Sequence, residues 1–229
     1  MDPRESLKQV AAESAVALVE DGMILGLGTG STAKLAVEAL GKRVAGGLRV
    51  IGIPTSEFTG QQARSLGIPV STLDQYPEID LTIDGADEVE LGTLNLIKGR
   101  GGALLREKIV ASASRRLVII VDESKLVERL GLHFAVPVEL VRFGWQAAER
   151  KLQKLGASTT LRQGPDGQPY VTDGGNLIVD CAFRTIDAPA VLDQQLNTVV
   201  GVVEHGLFLN MASQVIVAGR DGVQILRPT

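Results

Sequence analysis

The sequence predicts an α/β protein: a Rossmann-like, doubly wound parallel sheet with a smaller inserted α+β domain of the split-βαβ, ferredoxin-like kind. Three observations predict it. Up to about residue 122, short apolar runs alternate with amphipathic helical stretches, the pattern of a parallel sheet covered on both faces. Beyond about Gly131 the order becomes strand, helix, strand, strand, helix, strand. Two short apolar runs near the end, 215–218 and 223–226, flank Arg220-Asp221-Gly222 and are placed to rejoin the first sheet. The expected division is a main α/β domain from 1–130 and 205–229, with 131–204 inserted. No repeat, low-complexity segment or long linker interrupts it.

Each element has a local reason. Asp2 is placed as an N-cap, with Pro3 at the first helical position and Glu5 at the third. Leu7, Val10, Ala11, Ala15, Leu18 and Val19 then share one helical face, and Gly22 ends the run. Residues 23–27 read as a strand, followed by a Gly-rich turn and a helix over 31–44. A strand at 48–53 is broken by Pro54; a helix over 57–66 stops at Gly67, and a short strand lies near 68–73. Residues 80–83 and 117–122 read as strands on either side of a helix over 103–114. In the insert, 136–141 is a strand and 144–155 a helix. Strands at 158–162 and 176–183 flank the turn Gly164-Pro165-Asp166-Gly167, 188–196 is helical, and 199–207 is extended. Cys181, in an apolar alternating strand, reads as a core residue, and His133 and His205 as structural.

Composition excludes several classes. A net charge of −4 and 3% aromatic residues argue against phosphate-gripping or base-stacking nucleic-acid binding. One cysteine forbids an intramolecular disulfide or a multi-Cys zinc site, and two distant histidines disfavour a His-rich metal centre. The N-terminus lacks a basic segment leading into an apolar stretch. No run approaches the roughly 18 apolar residues of a membrane span, so a cytoplasmic protein without membrane partners is expected.

Chemistry concentrates after the strands. Gly26-Leu27-Gly28-Thr29-Gly30-Ser31-Thr32 follows a strand and opens a helix, so backbone N–H groups, the helix terminus and three hydroxyls converge. Two readings stand: a phosphate site, or a tight turn with Ser31 as cap. The Gly-Lys-Ser/Thr of a P-loop is missing, as is the third glycine of a dinucleotide fingerprint. Pro54-Thr55-Ser56-Glu57-Phe58-Thr59 opens the next helix, with Ser56 either a cap or part of a shared crevice. Asp84-Gly85-Ala86-Asp87-Glu88 places three carboxylates at a strand's carboxyl end. They form an acidic surface turn, a Mg²⁺ site, or a cluster in which repulsion holds a proton near neutrality.

A second Gly-rich turn, Lys98-Gly99-Arg100-Gly101-Gly102, runs into the helix that carries Glu107. Lys98 is placed to neutralise Asp84 and Asp87 or to hold an anionic oxygen. Glu107 has Ala103, Val110 and Ala111 as helical neighbours, a setting that raises its pKa and suits a general base; the alternative is an exposed Glu paired with Arg106 or Lys108. Lys125, after the strand at 117–122, either reaches the same crevice or is solvated. Asp173-Gly174-Gly175-Asn176 reads as a turn. This kit suits proton transfer beside a carbonyl in a phosphorylated small molecule.

Gly28-Thr29-Gly30-Ser31-Thr32, Thr55-Ser56-x-x-Thr59, Asp84-Gly85-Ala86-Asp87-Glu88 and Lys98-Gly-x-Gly-Gly-Ala-Leu-x-x-Glu107-Lys108 closely resemble type A ribose-5-phosphate isomerases. The resemblance extends through Asp122-x-x-Lys125, Thr172-Asp173-Gly-Gly-Asn176 and Gly206-Leu207-Phe208, near full length. It implies interconversion of ribose 5-phosphate and ribulose 5-phosphate without a cofactor or metal, in the pentose phosphate pathway and, in photosynthetic cells, the Calvin cycle. It implies that Glu107 shuttles the proton between C1 and C2, with Asp84, Asp87 and Lys98 around the reacting end. Implied substrate contacts are Thr29, Gly30, Ser31, Thr32, Ser56, Gly85, Ala86, Gly99, Arg100, Gly101 and Lys125. The implied partner is a small sugar phosphate, and the implied assembly a homodimer or tetramer. A sugar-phosphate sensor, the reading from another class, predicts an attached DNA-binding module and no acid/base Glu. The first helix instead leads almost directly into the first strand. A sugar-phosphate deaminase is the nearer enzymatic competitor.

Overall fold

The computed structural model describes residues 3–220 and 222–228; of the side chains of residues 3–5 nothing is described. The expected Asp2 cap therefore lies outside the described residues. Helix α1 (Pro3–Val16) does begin at Pro3, but it ends six residues before Gly22. Its final turn tightens, with Leu18 N–H reaching Ala15 O and Val19 N–H reaching Val16 O, and Arg43 Nη1 also donates to the carbonyls of Val16 (2.6 Å) and Val19 (3.0 Å). Val10, expected on the packed face, is 41% exposed.

The chain continues through β1 (Ile24–Leu27), α2 (Ser31–Ala45), β2 (Ile51–Pro54), α3 (Glu57–Ser65), β3 (Leu81–Asp84), β4 (Glu88–Glu90) and β5 (Leu96–Ile97). Next come α4 (Leu104–Ser112), β6 (Leu117–Asp122), a 3₁₀ turn at Glu123–Lys125, and β7 (Leu126–Val127). The main sheet adds β13 (Gln214–Gly219) and β14 (Gly222–Leu226) from the end of the chain, in the order β14-β13-β6-β3-β1-β2. All neighbours are parallel except the β13–β14 hairpin. The expected return of the last strands is thus observed. The strand expected near 68–73 is reduced to one bridge between Val70 and Gly52, because Pro69 has no N–H to continue a ladder.

Helices α1 and α2 bury Ala11, Ala12, Ala15, Val37 and Leu40 against Leu25, Val118, Ile120 and Ile216 on one face of this sheet. The other face departs from a purely helical cover. Ala111 of α4 packs there beside Val89, Leu96 and Phe208, which belong to a third, small sheet; with Leu207–Phe208 as β12, its order is β12-β5-β4-β7. The strands of that sheet are two or three residues long, too short for a period-2 pattern to show in the sequence.

The inserted sheet contains β8 (Val136–Leu140), β9 (Ser158–Leu161), β10 (Leu177–Ala182) and β11 (Val202–His205), with α5 (Trp145–Lys154) and α6 (Pro189–Asn197) between them. Its order, β11-β8-β10-β9, is antiparallel throughout, as a split-βαβ unit requires. Ala148, Leu152, Leu192 and Leu196 pack on Val138, Leu140, Val179 and Cys181, so Cys181 is a core residue as expected. The extended run expected over 199–207 is two strands: β11, and β12 (Leu207–Phe208), which crosses to the small sheet. Gly206 makes the crossing, because a Cβ there would stand 2.1 Å from the Lys98 carbonyl.

Chain order places the cleft. From β1 the chain moves outward to β2, then back across β1 to β3 and on to β6. The reversal lies between β1 and β3, and open α/β sheets bind ligands beyond the carboxyl ends of strands at such a point.

Candidate active site

Gly28 directly follows β1 and Asp84 ends β3, close together at this reversal. A Cβ at Gly28 would stand 2.2 Å from Asp84 Oδ1, so glycine is what lets the carboxylate fold over the turn. There Asp84 Oδ1 accepts from the N–H groups of Thr29 (3.2 Å) and Gly85 (2.7 Å). Its Oδ2 lies 2.9 Å from Lys98 Nζ. Lys98 leaves the end of β5, donates to Gly85 O (2.6 Å) and stands 3.3 Å from Glu107 Oε2. The side chains of Asp84, Lys98 and Glu107 are at most 3% exposed.

Glu107 is buried because Leu104, Val110 and Ala111, its helical neighbours, pack inward on the same face of α4. Its alternative partners are engaged elsewhere. Arg106 bonds Glu57 (2.8 Å) and lies 3.4 Å from Asp173, and Lys108 bonds Glu204 (2.6 Å) and His205 O (2.7 Å). Despite the nearby ammonium, Glu107 Oε2 receives no hydrogen bond. Burial pushes its pKa up to about 8; Lys98 opposes the rise, while Asp84 and Asp87 add to it. Burial likewise raises Asp84, against the pull of Lys98 and two backbone N–H groups. Burial works against the Lys98 charge, but Asp84, Glu107 and Asp87 outweigh it and hold the ammonium above the ordinary lysine range. The triad therefore carries a permanent cation and, near neutral pH, a proton on Glu107.

In front of the triad lies a cavity of about 320 Å³. Its walls are residues 29–32 after β1, 85–87 after β3, 98–101 after β5, Glu107, Lys125 and Lys8. Every residue implied for catalysis or substrate contact lines it except Asp84, which pairs with Lys98, and Ser56. Ser56 caps α3 by accepting from Thr59 N–H (3.1 Å), and it also lines a neighbouring cavity with Thr29, Gly30 and Ser31, so both of its readings have a basis. Thr29 reaches the cavity, but its hydroxyl is tied into a knot with Thr55 (2.7 Å), Ser56 (2.8 Å) and Thr59 (3.0 Å). The acidic run also divides. Asp87 Oδ2 accepts from Arg100 N–H (3.0 Å) at the cavity, whereas Glu88 turns away and binds the N–H groups of Gly131, His133 and Phe134. Of the alternatives for that run, an acidic surface turn fails for Asp84 and Glu88, both buried.

Two residues escaped the sequence reading. Lys8 of α1 donates to Ser31 Oγ (3.0 Å), a contact spanning 23 positions with no local signal. The Phe134 ring holds Lys125 Nζ at 4.5 Å and the Arg100 guanidinium at 5.2 Å, so two cavity cations share one aromatic ring. On the same cavity, α2 starts at Ser31 with no side-chain cap and no acidic residue in its first turn. The partial positive charge of its terminus joins the cations Lys8, Lys125 and Arg100, which also line the cavity. His133 is exposed, and His205 is buried on β11, its pKa pushed down to about 4 chiefly by burial. Among the described residues, no group of three or more His, Cys, Asp or Glu is placed to hold a metal ion, and no helix is long and apolar enough to cross a membrane.

An open α/β sheet with an enclosed charged cleft at its switch point is the architecture of a small-molecule enzyme. Comparison with known proteins narrows the class to isomerases. The chain belongs to the ribose 5-phosphate isomerase A (phosphoriboisomerase A) family, whose profile matches residues 51–222. It is 59% identical over 223 residues to ribose-5-phosphate isomerase A of Gloeobacter violaceus, covering 97% of this chain and 96% of that one. It is 54% identical over 228 residues to the Synechococcus protein of the same name, covering 99% of both. Among solved structures, ribose 5-phosphate isomerase A of Methanocaldococcus jannaschii superposes with a TM-score of 0.93 at 44% identity, covering 97% of this chain and 99% of that one. A D-ribose-5-phosphate isomerase in complex with phospho-erythronic acid superposes with a TM-score of 0.95 at 41% identity, covering 98% and 99%.

Proposed function

We propose that the chain interconverts D-ribose 5-phosphate and D-ribulose 5-phosphate through an enediolate, as a step of the pentose phosphate pathway, with Glu107 as the acid/base. The observation that carries this reading is Glu107 itself: a buried carboxylate on the cavity wall, beside a fixed ammonium, with one oxygen lacking a hydrogen bond. In the open-chain aldose, ionised Glu107 takes the proton from C2. The electron pair moves through C1–C2 to the carbonyl oxygen, and the same carboxyl returns the proton to C1. Lys98 stands where the developing oxyanion needs a positive charge, and Asp84 holds Lys98 in place. Asp87, the aspartate that faces the cavity, is assigned the proton transfer between O1 and O2. The α2 terminus and its lysines take the phosphate. A solved relative is in complex with phospho-erythronic acid, a phosphorylated sugar acid, which supports a sugar phosphate as the ligand.

The direct test is an isomerisation assay with ribose 5-phosphate. Arabinose 5-phosphate, its C2 epimer, is expected to bind competitively without comparable turnover, because its C2 hydrogen faces away from Glu107. Turnover of arabinose 5-phosphate at a similar rate, or inertness of ribose 5-phosphate, would overturn the reading.

Two further outcomes follow from the triad. Because Glu107 holds its proton until about pH 8, kcat/KM for ribose 5-phosphate is expected to rise with pH and level off above that value. A profile flat from pH 6 to pH 9 would count against Glu107 as base. Because Lys98 supplies the charge that a Lewis acid would otherwise provide, full activity is expected after dialysis against EDTA. Activity lost on dialysis and restored only by a divalent ion would show the assignment of Lys98 to be wrong.

A further inference from the structure

Arg162 lies outside the cavity, in the inserted sheet, yet it grips the turn that forms one cavity wall. It follows β9, and its backbone pairs with Ile178 (2.9 Å) and Tyr170 (2.9 Å), so it is fixed from both sides. Its guanidinium meets Asp180 on β10 edge-on, through Nε (3.0 Å) and Nη2. That fork leaves Nη1 aimed at the glycine turn, where it donates to Gly99 O (2.8 Å) and Arg100 O (3.1 Å). The Arg162 side chain is 14% exposed. The same hairpin closes over the turn a second time: a Cβ on Gly102 would meet the Tyr170 ring and hydroxyl at 2.3–2.5 Å. The clamped peptide carries the Arg100 N–H that Asp87 accepts in the cavity.

We propose that Arg162, braced by Asp180, is a positioning residue for the isomerisation: by fixing the carbonyls of Gly99 and Arg100, it aims the N–H that orients Asp87. The inference rests on the isomerase reading above. It assigns the inserted sheet a part in the reaction that none of its own residues performs by touching substrate. A plain structural role would need the Asp180 pair but not the Nη1 bonds to two successive carbonyls. A buried arginine satisfied by Asp180 alone would complete the sheet.

The test uses Arg162→Met, Arg162→Lys and Asp180→Asn in the full chain. Arg162→Met is expected to lose roughly 10–100-fold in kcat, with KM for ribose 5-phosphate changed less than about threefold. Lysine, which keeps the charge but not the fork, is expected to recover part of the loss, and Asp180→Asn to show a smaller loss of the same kind. Asp87 is one of the charges that raise Glu107, so the rise in kcat/KM is expected at lower pH in Arg162→Met, by about half a unit or more. Amide exchange is expected to quicken at residues 98–103 and not across the chain. Unchanged kcat and exchange at the turn would overturn the proposal, as would faster exchange throughout with a matching fall in melting temperature. If the parent protein were inert toward ribose 5-phosphate, the isomerase reading would fall, and the localised exchange would still report the clamp.

Discussion

Glu107→Gln is expected to lower kcat by roughly 10²–10⁴-fold while leaving the affinity for arabinose 5-phosphate within a few-fold of the parent. The amide keeps the shape of the side chain and its place beside Lys98, so the cavity is preserved. What it cannot do is accept a proton from carbon. On the proposed reading, binding is carried mainly by the α2 terminus, Lys8 and Lys125, which line the same cavity. A variant retaining more than a tenth of the parent kcat would sink the assignment of Glu107.

The same substitution has a thermodynamic consequence. In the folded protein Glu107 ionises near pH 8, against an ordinary value of 4.5. Between those two pH values the folded state holds a proton that the unfolded chain has released, so Glu107 makes stability fall as pH rises through the window. Glutamine does not titrate. Relative to the parent, Glu107→Gln is therefore expected to gain on the order of 1–3 kcal/mol between pH 5 and pH 9, read from urea melts at the two pH values. An equal difference at both would show that Glu107 is not held protonated by the fold. On the proposed reading, the same burial that costs stability makes Glu107 a base near neutral pH, a trade common at active sites.

How far the sequence reaches follows from the range of the interactions. Glu107 was legible because its burial is decided by residues three and four positions away on one helix. The glycine turn after β1 was legible because a strand, two glycines and a helix start lie within a few residues of one another. Glu88, next to Asp87, gave no sign that it would turn from the cleft, because its three N–H donors come from residues 131–134. The small third sheet was hidden for the same reason: β5 pairs with β12, so Ile97 meets Leu207 from the far side of the insert. A cap and a cleft residue share one sequence signature at Ser56, and the fold makes it both, capping α3 and lining a cavity beside Thr29. Local periodicity writes helices and their buried faces into sequence. Pairings across a hundred residues leave no local trace.

Lys98 is where stability and catalysis are most tightly joined, and Lys98→Met is the substitution expected to cost both. Removing the ammonium leaves Asp84 and Glu107 facing each other with no cation, each almost wholly excluded from water. Breaking a buried pair in this way costs about 3–5 kcal/mol, because the surviving charge must be neutralised or exposed. Activity is expected to fall by at least about 10³-fold, since the oxyanion loses its charged donor and Glu107 loses the cation that keeps it ionisable. These two losses are separable. In the double variant Lys98→Met, Asp84→Asn the uncompensated carboxylate is gone, and the amide that replaces it retains an oxygen for the N–H groups of Thr29 and Gly85. Replacing a whole buried pair is far less costly than removing one member of it. The double variant is therefore expected to recover most of the urea midpoint lost by Lys98→Met and none of its kcat. If activity returned along with stability, Lys98 would be a structural counter-ion and the oxyanion would have to be held by another group. If neither returned, the turn around residue 98 would depend on the ammonium for its shape, through the bond to Gly85 O, and not for charge balance alone.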